Sequence, residues 1–102
     1  MHIVEIFLPL QRNDGSPQPR ETFAALRREL VDRFGGLTAF TRAPAEGLWE
    51  DEEGQVERDR IVIFELMAER LERGWWSELR ARLERELQQD EVLIRATAAE
   101  RL

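Results

Sequence analysis

Apolar positions along the chain recur at two spacings, and the spacing changes mark the elements. His2 to Leu8 (HIVEIFL) is β-branched and aromatic, reads as a strand, and is expected to end at Pro9. Leu10 to Pro19 is a loop by its Asp14-Gly15 turn and two prolines. A helix should open at Pro19 or Arg20, because Phe23, Leu26, Leu30 and Phe34 then fall on one stripe. Glu29 and Arg33 are expected to pair on its outer surface. Gly35-Gly36 should close the helix, since glycine takes the left-handed cap conformation without steric cost.

Leu37 to Pro44 reads as a second strand. Ala45 to Gln55 reads as a hairpin with Asp51-Glu52-Glu53-Gly54 at its tip. Val56 to Met67 holds the third strand, centred on Ile61-Val62-Ile63-Phe64. A second helix starts between Arg70 and Trp75, with Leu71, Trp75, Trp76, Leu79, Leu83 and Leu87 on one side. Glu78/Arg82, Arg80/Glu84 and Arg82/Glu86 would lace its outside. Gly74 blurs the starting point, because glycine costs about 1 kcal/mol inside a helix. Val92 to Ala98 is the fourth strand.

The order β-α-β-β-α-β, with short right-handed connections, favours one answer: an α+β, ferredoxin-like split βαβ sandwich. It predicts a four-stranded antiparallel sheet of order 4-1-3-2, two helices on one face and an extended hairpin between the second and third strands. No linker or internal repeat divides the chain, so residues 1–102 are expected to form one domain. At this length about two thirds of the unfolded surface is buried, enough for one modest core.

Strand alternation assigns the two sheet faces. The helix side should receive Val4, Ile6 and Leu8; Leu37, Ala39 and Thr41; Val62, Phe64 and Leu66; and Val92, Ile94 and Ala96. The other side then receives Ile3, Phe7, Phe40, Ile63, Met67 and Leu93, interspersed with Glu5, Arg42, Glu65 and Arg95. A sheet face left to water normally turns polar, and this one does not. Ile3, Phe7, Phe40, Ile63, Met67 and Leu93 are therefore expected to form an interface, most simply with a second copy of the chain in a homodimer.

Composition narrows the chemistry. The 42% hydrophobic and 35% charged fractions fit a globular domain. There is no cysteine, so no disulfide, thiolate nucleophile or Cys-ligated metal is available. All 15 basic residues are arginine, which excludes Schiff-base and P-loop lysine chemistry. Tyrosine is absent and His2 is the single histidine, so a histidine-rich metal site is excluded within one chain; His2 is expected to be a strand residue, and no cofactor or metal is expected. The net charge of −6 opposes nucleic-acid and anionic-membrane binding, so neither partner is expected. With no membrane-length apolar run and no signal-peptide pattern, a cytoplasmic, reducing setting is expected.

Glu5, Arg42, Glu65 and Arg95 balance to zero, and their plain reading is a set of interfacial ion pairs that fix register. The chemical reading makes Glu5 or Glu65 a catalytic base and Arg42 or Arg95 the clamp for an anionic ligand, in a pocket between sheets. Arg12 and Arg20 are expected near Glu50, Asp51, Glu52 and Glu53, with a mobile loop facing a solvated acidic tip. That tip lacks the calcium-loop spacing. Trp49 reads as a packing residue that pins the hairpin, and at least one of Trp75 and Trp76 should enter the core, since neighbours on a helix lie about 100° apart.

Phe34-Gly35-Gly36-Leu37-Thr38, then Gly47-Leu48-Trp49, then Gly54-Gln55-Val56-Glu57-Arg58-Asp59 leading into Ile61-Val62-Ile63-Phe64 resembles a motif in a family of small, functionally uncharacterised bacterial proteins. Those proteins look like relatives of the ferredoxin-like dimeric α+β barrels, a group that holds cofactor-free monooxygenases, muconolactone-type isomerases and ligand-binding regulators. The resemblance implies a dimer, with a small ligand or protein partner as one role and cofactor-free catalysis as the alternative. That group commonly works with a pocket histidine, asparagine, tryptophan or tyrosine. With His2 at the first strand and Asn13 in a loop, no catalytic residue is carried over.

Overall fold

A computed structural model describes residues 1–50 and 53–102, without the side chains at 42–47, 49, 50 and 56–59. The elements are β1 (His2–Pro9), α1 (Arg20–Phe34), β2 (Thr38–Glu50), β3 (Val56–Ala68), α2 (Arg73–Glu86) and β4 (Ile94–Ala98). They form one four-stranded sheet of order β2-β3-β1-β4, the expected order read from the other edge. Every adjacent pair is antiparallel, as the ferredoxin-like topology requires.

Burial follows the two periods. Val4, Ile6 and Leu8 of β1 and Val62, Phe64 and Leu66 of β3 are buried beneath the helices. Leu26 and Leu30 of α1 and Trp76, Leu79 and Leu83 of α2 meet them, and Leu87 and Val92 close the core. Ion pairs from Arg82 to Glu29 and from Arg33 to Glu72 (2.6 Å) tie the two helical segments together. The Glu29/Arg33 pair expected along α1 does not form, because each side chain reaches a partner on the α2 side instead. Of the pairs expected along α2, Arg82 and Glu86 approach to 3.8 Å, whereas Glu84 accepts a hydrogen bond from the Val92 backbone N–H.

Three further expectations need correction. Ala39, Thr41 and Ala96 are exposed, not covered, and Leu37 and Ile94 are only half-buried. Ala39, Thr41, Ile94 and Ala96 sit on edge strands, Val92 just before β4 is buried as expected, and the strands' share of the core comes from the central pair β1 and β3. The boundary between strand and hairpin at Pro44 also disappears: β2 runs on to Glu50, with its register against β3 shifting between Phe40 and Ala45. The loop after β1, expected to be mobile, is hydrogen-bonded to the segment that follows α2. Its turn is closed by Asp14, and the Gln18 side-chain amide donates to the Leu87 carbonyl at 2.7 Å. The Asn13 N–H donates to the Gln88 carbonyl, and the Gln89 amide to the Gln11 carbonyl.

α1 ends at Gly35, where φ is 84° and the N–H donates to the Val31 carbonyl at 2.8 Å. This left-handed turn sends the chain away from the helix axis and into β2. No helix among the described residues is long and apolar enough to cross a membrane.

Candidate functional site

The register assembles the uncovered sheet face row by row. Phe40 faces Ile63 and Ile63 faces Phe7. The Phe7 N–H donates to the Leu93 carbonyl at 3.0 Å, which carries this apolar row to the start of β4. The next row reads Thr38, Glu65, Glu5, Arg95. The third pairs Met67 with Ile3 and Ile3 with Thr97. A charged row thus lies between apolar ones. Phe40, Met67 and Leu93 remain 49%, 47% and 49% exposed, while Ile3, Phe7 and Ile63 are half-buried by their neighbours.

Within the charged row, Arg95 Nε donates to Glu5 Oε1 at 2.9 Å, and its guanidinium lies 4.8 Å from the centre of the Phe7 ring. Directly opposed strand positions explain the pairing, and the Phe7 ring adds a cation–π contact. Glu5 therefore has a partner within its own chain. Glu65, which faces Glu5 across β1 and β3, has no ion pair among the described residues. The Arg42 side chain, the Trp49 side chain and the acidic tip at Asp51 and Glu52 lie outside the described residues.

A second feature sits where β2 separates from β3. Thr38 pairs with Glu65, but β3 continues through Leu66, Met67 and Ala68 with β1 alone. The wedge left open is a cleft of about 930 Å³. Phe34, Trp75 and Trp76 form one wall. The Phe34 and Trp76 rings stack at 5.3 Å, and Trp75 meets both edge-on. Arg33 lies over Trp75 at 4.3 Å while it binds Glu72. Glu65, Glu69, Arg70 and Arg101 line the remainder, so the cleft takes in one sheet carboxylate expected from the sequence and leaves Glu5 outside.

The cleft is assembled from the end of α1, the end of β3, the start of α2 and the segment after β4, and no local pattern announced it. Two sequence features singled out earlier do line it: the Phe34-Gly35-Gly36-Leu37-Thr38 run and the Trp75-Trp76 pair, of which Trp76 is buried and Trp75 half-buried. Three or more acidic or histidine side chains able to hold a metal do not converge anywhere among the described residues.

No protein-family model matches the chain, and no curated protein sequence matches it. Solved structures do. A phage SAM lyase, in complex with S-methyl-5'-thioadenosine, superposes with a TM-score of 0.63 at 19% identity, covering 94% of this chain and 79% of the lyase. An Asp-to-Ala variant of CutA1 from Pyrococcus horikoshii OT3 gives 0.59 at 17% identity, over 100% of this chain and 86% of that one. CutA from Pyrococcus horikoshii in 3 M guanidine hydrochloride gives 0.58 at 17% identity, over 100% and 87%. At such identities the likeness is one of fold: this chain shares the small ferredoxin-like α+β architecture with proteins of different names.

Proposed function

We propose that this chain is a self-associating domain whose working unit is a homodimer packed through the uncovered sheet faces. The observation that carries the reading is the face itself: Phe40, Met67 and Leu93, each about half exposed, surround a Glu5–Arg95 pair and adjoin Ile3, Phe7 and Ile63. Apolar rows on both sides of one charged row are more than a lone domain usually leaves wet. A second copy offers a matching surface at once, and its twofold symmetry closes the assembly. The charge row would then fix the relative orientation of the two sheets, since an unpaired carboxylate is costly when dried.

The alternative, a cofactor-free enzyme with Glu5 or Glu65 as base and Arg42 or Arg95 as anion clamp, would require a concave pocket around those groups. Glu5 and Arg95 neutralise one another on an open face, and Glu65, which does line the cleft, has no arginine ion pair among the described residues, which favours assembly.

Sedimentation equilibrium at micromolar concentration tests the reading. The expected mass is twice 12.0 kDa, and Leu93→Glu should return it to 12.0 kDa with the circular dichroism spectrum unchanged. A stable monomer for the unaltered chain would remove the proposal.

A further inference from the structure

We propose that the cleft between α1, the end of β3 and α2 binds a small zwitterion of the amino-acid type that carries an aromatic or other apolar group. The site adjoins the sheet face, since Ile3, Glu65 and Met67 belong to both, while Arg70, Glu69 and Arg101 belong to segments outside the sheet.

The volume, about 930 Å³, is that of a ligand cleft rather than a packing defect. Its aromatic wall is rigid, because Phe34, Trp75 and Trp76 brace one another in three ring contacts. Such a wall takes flat or apolar groups, with tryptophan offering the largest face. Much of the remaining lining is charged, and the signs decide the ligand class. Arg33, Arg70 and Arg101 stand against Glu65, Glu69 and Glu72, so the lining sums to zero. Arg33 and Glu72 already satisfy each other. Among the described residues, Arg70, Arg101, Glu65 and Glu69 make no ion pair or side-chain hydrogen bond.

Two guanidinium groups and two carboxylates are thus left to face one opening. A polyphosphate would meet Glu65 and Glu69, and a simple cation would meet Arg70 and Arg101. A ligand with one carboxylate and one ammonium satisfies both sets. Arginine accepts the carboxylate through two parallel N–H donors, and glutamate accepts hydrogen bonds from the ammonium. The side chain of the ligand then projects toward Trp75.

The test uses the unaltered chain labelled with nitrogen-15 and unlabelled L-tryptophan as probe. L-tryptophan should shift the Trp75 and Trp76 indole resonances saturably and leave that of Trp49 in place. N-acetyl-L-tryptophan lacks the cation and L-tryptophanamide lacks the anion, so each should bind at least about tenfold more weakly. Arg101→Ala and Glu69→Gln should each weaken L-tryptophan binding by about tenfold without moving the thermal midpoint, as both side chains are on the surface. No saturable shift up to about 10 mM probe would overturn the inference, as would equal binding of the singly charged analogues or of inorganic phosphate. These outcomes are read from resonances, not mass, so failure here leaves the dimer standing and failure of the dimer leaves this site standing.

Discussion

Two backbone positions show how far a single residue decides local geometry. Gly35 holds φ at 84°, and a Cβ there would meet nothing within 4 Å. The penalty for Gly35→Ala is therefore conformational, not steric contact with neighbours, at about 1–2 kcal/mol. Gln88 is the mirror case. It follows the last residue of the α2 cap with φ at 51°, a conformation side chains rarely adopt and glycine takes freely. Gln88→Gly should stabilise the fold by about 0.5–1 kcal/mol, while Gly35→Ala lowers the thermal midpoint by several degrees. Thermal denaturation of both variants checks the opposed signs. Asp14 adds a proton-linked effect. Its carboxylate accepts from the Ser16 hydroxyl at 2.5 Å and the Ser16 N–H at 2.9 Å, which lowers its pKa, the hydroxyl contributing most. A depressed carboxyl contributes stability above its unfolded pKa and loses it as pH falls through the folded value. Protection of the Ser16 amide from exchange should accordingly persist at neutral pH and fade only in acid below the normal aspartate range, and Asp14→Ala should abolish it at any pH.

Elements were legible wherever one period governed a whole segment. The α1 stripe of Leu26 and Leu30, and the β1 alternation of Val4, Ile6 and Leu8, sit in the core because nothing local competes with the pattern. The edge strands were less legible. Alternation says which side Ala39 or Ala96 points toward, but not whether a helix lies above it, and that is set by the width of the helical layer. The same limit applies to charges. Spacing places Glu29 and Arg33 within reach of each other, yet Arg82 and Glu72 compete and win across the interhelix groove. Nor could spacing find the cleft, since Gly36, Glu69 and Arg101 come together only when β2 peels from β3. Arg82 binds Glu29 and approaches Glu86, but these side chains are 37–49% exposed. Surface pairs of this kind contribute about 0–1 kcal/mol each. Arg82→Ala should cost no more than about 1 kcal/mol in urea denaturation, and less at high salt, whereas Leu30→Ala, at a position with 0% exposure, should cost about 2–5 kcal/mol.

For the whole molecule, size and charge make opposing demands on assembly. The accessible surface is 7404 Å², against about 6,000 Å² expected for a compact monomer of this mass. The radius of gyration is 14.1 Å, against about 12.8 Å for 102 residues. The excess has a visible source: β1 pairs with β3 only from Ile61 onward, so the outer ladder from Glu46/Arg60 to Glu50/Val56 stands beyond the four-stranded sheet as a two-stranded ribbon. Against this, each copy carries a net charge of −6, so pairing brings two like-charged bodies together. Salt separates the two contributions. Raising ionic strength from about 0.05 M to 0.5 M shortens the screening length well below 10 Å and weakens that repulsion, while burial of Phe40, Met67 and Leu93 is not screened. The Glu5–Arg95 pair is satisfied within one chain, so added salt removes little attraction between copies. Dimerisation should therefore strengthen with sodium chloride, by a fewfold in Kd across that range, as read by sedimentation velocity. A dimer that instead falls apart in salt would mean that exchanged ion pairs, not the apolar rows, hold the sheets together.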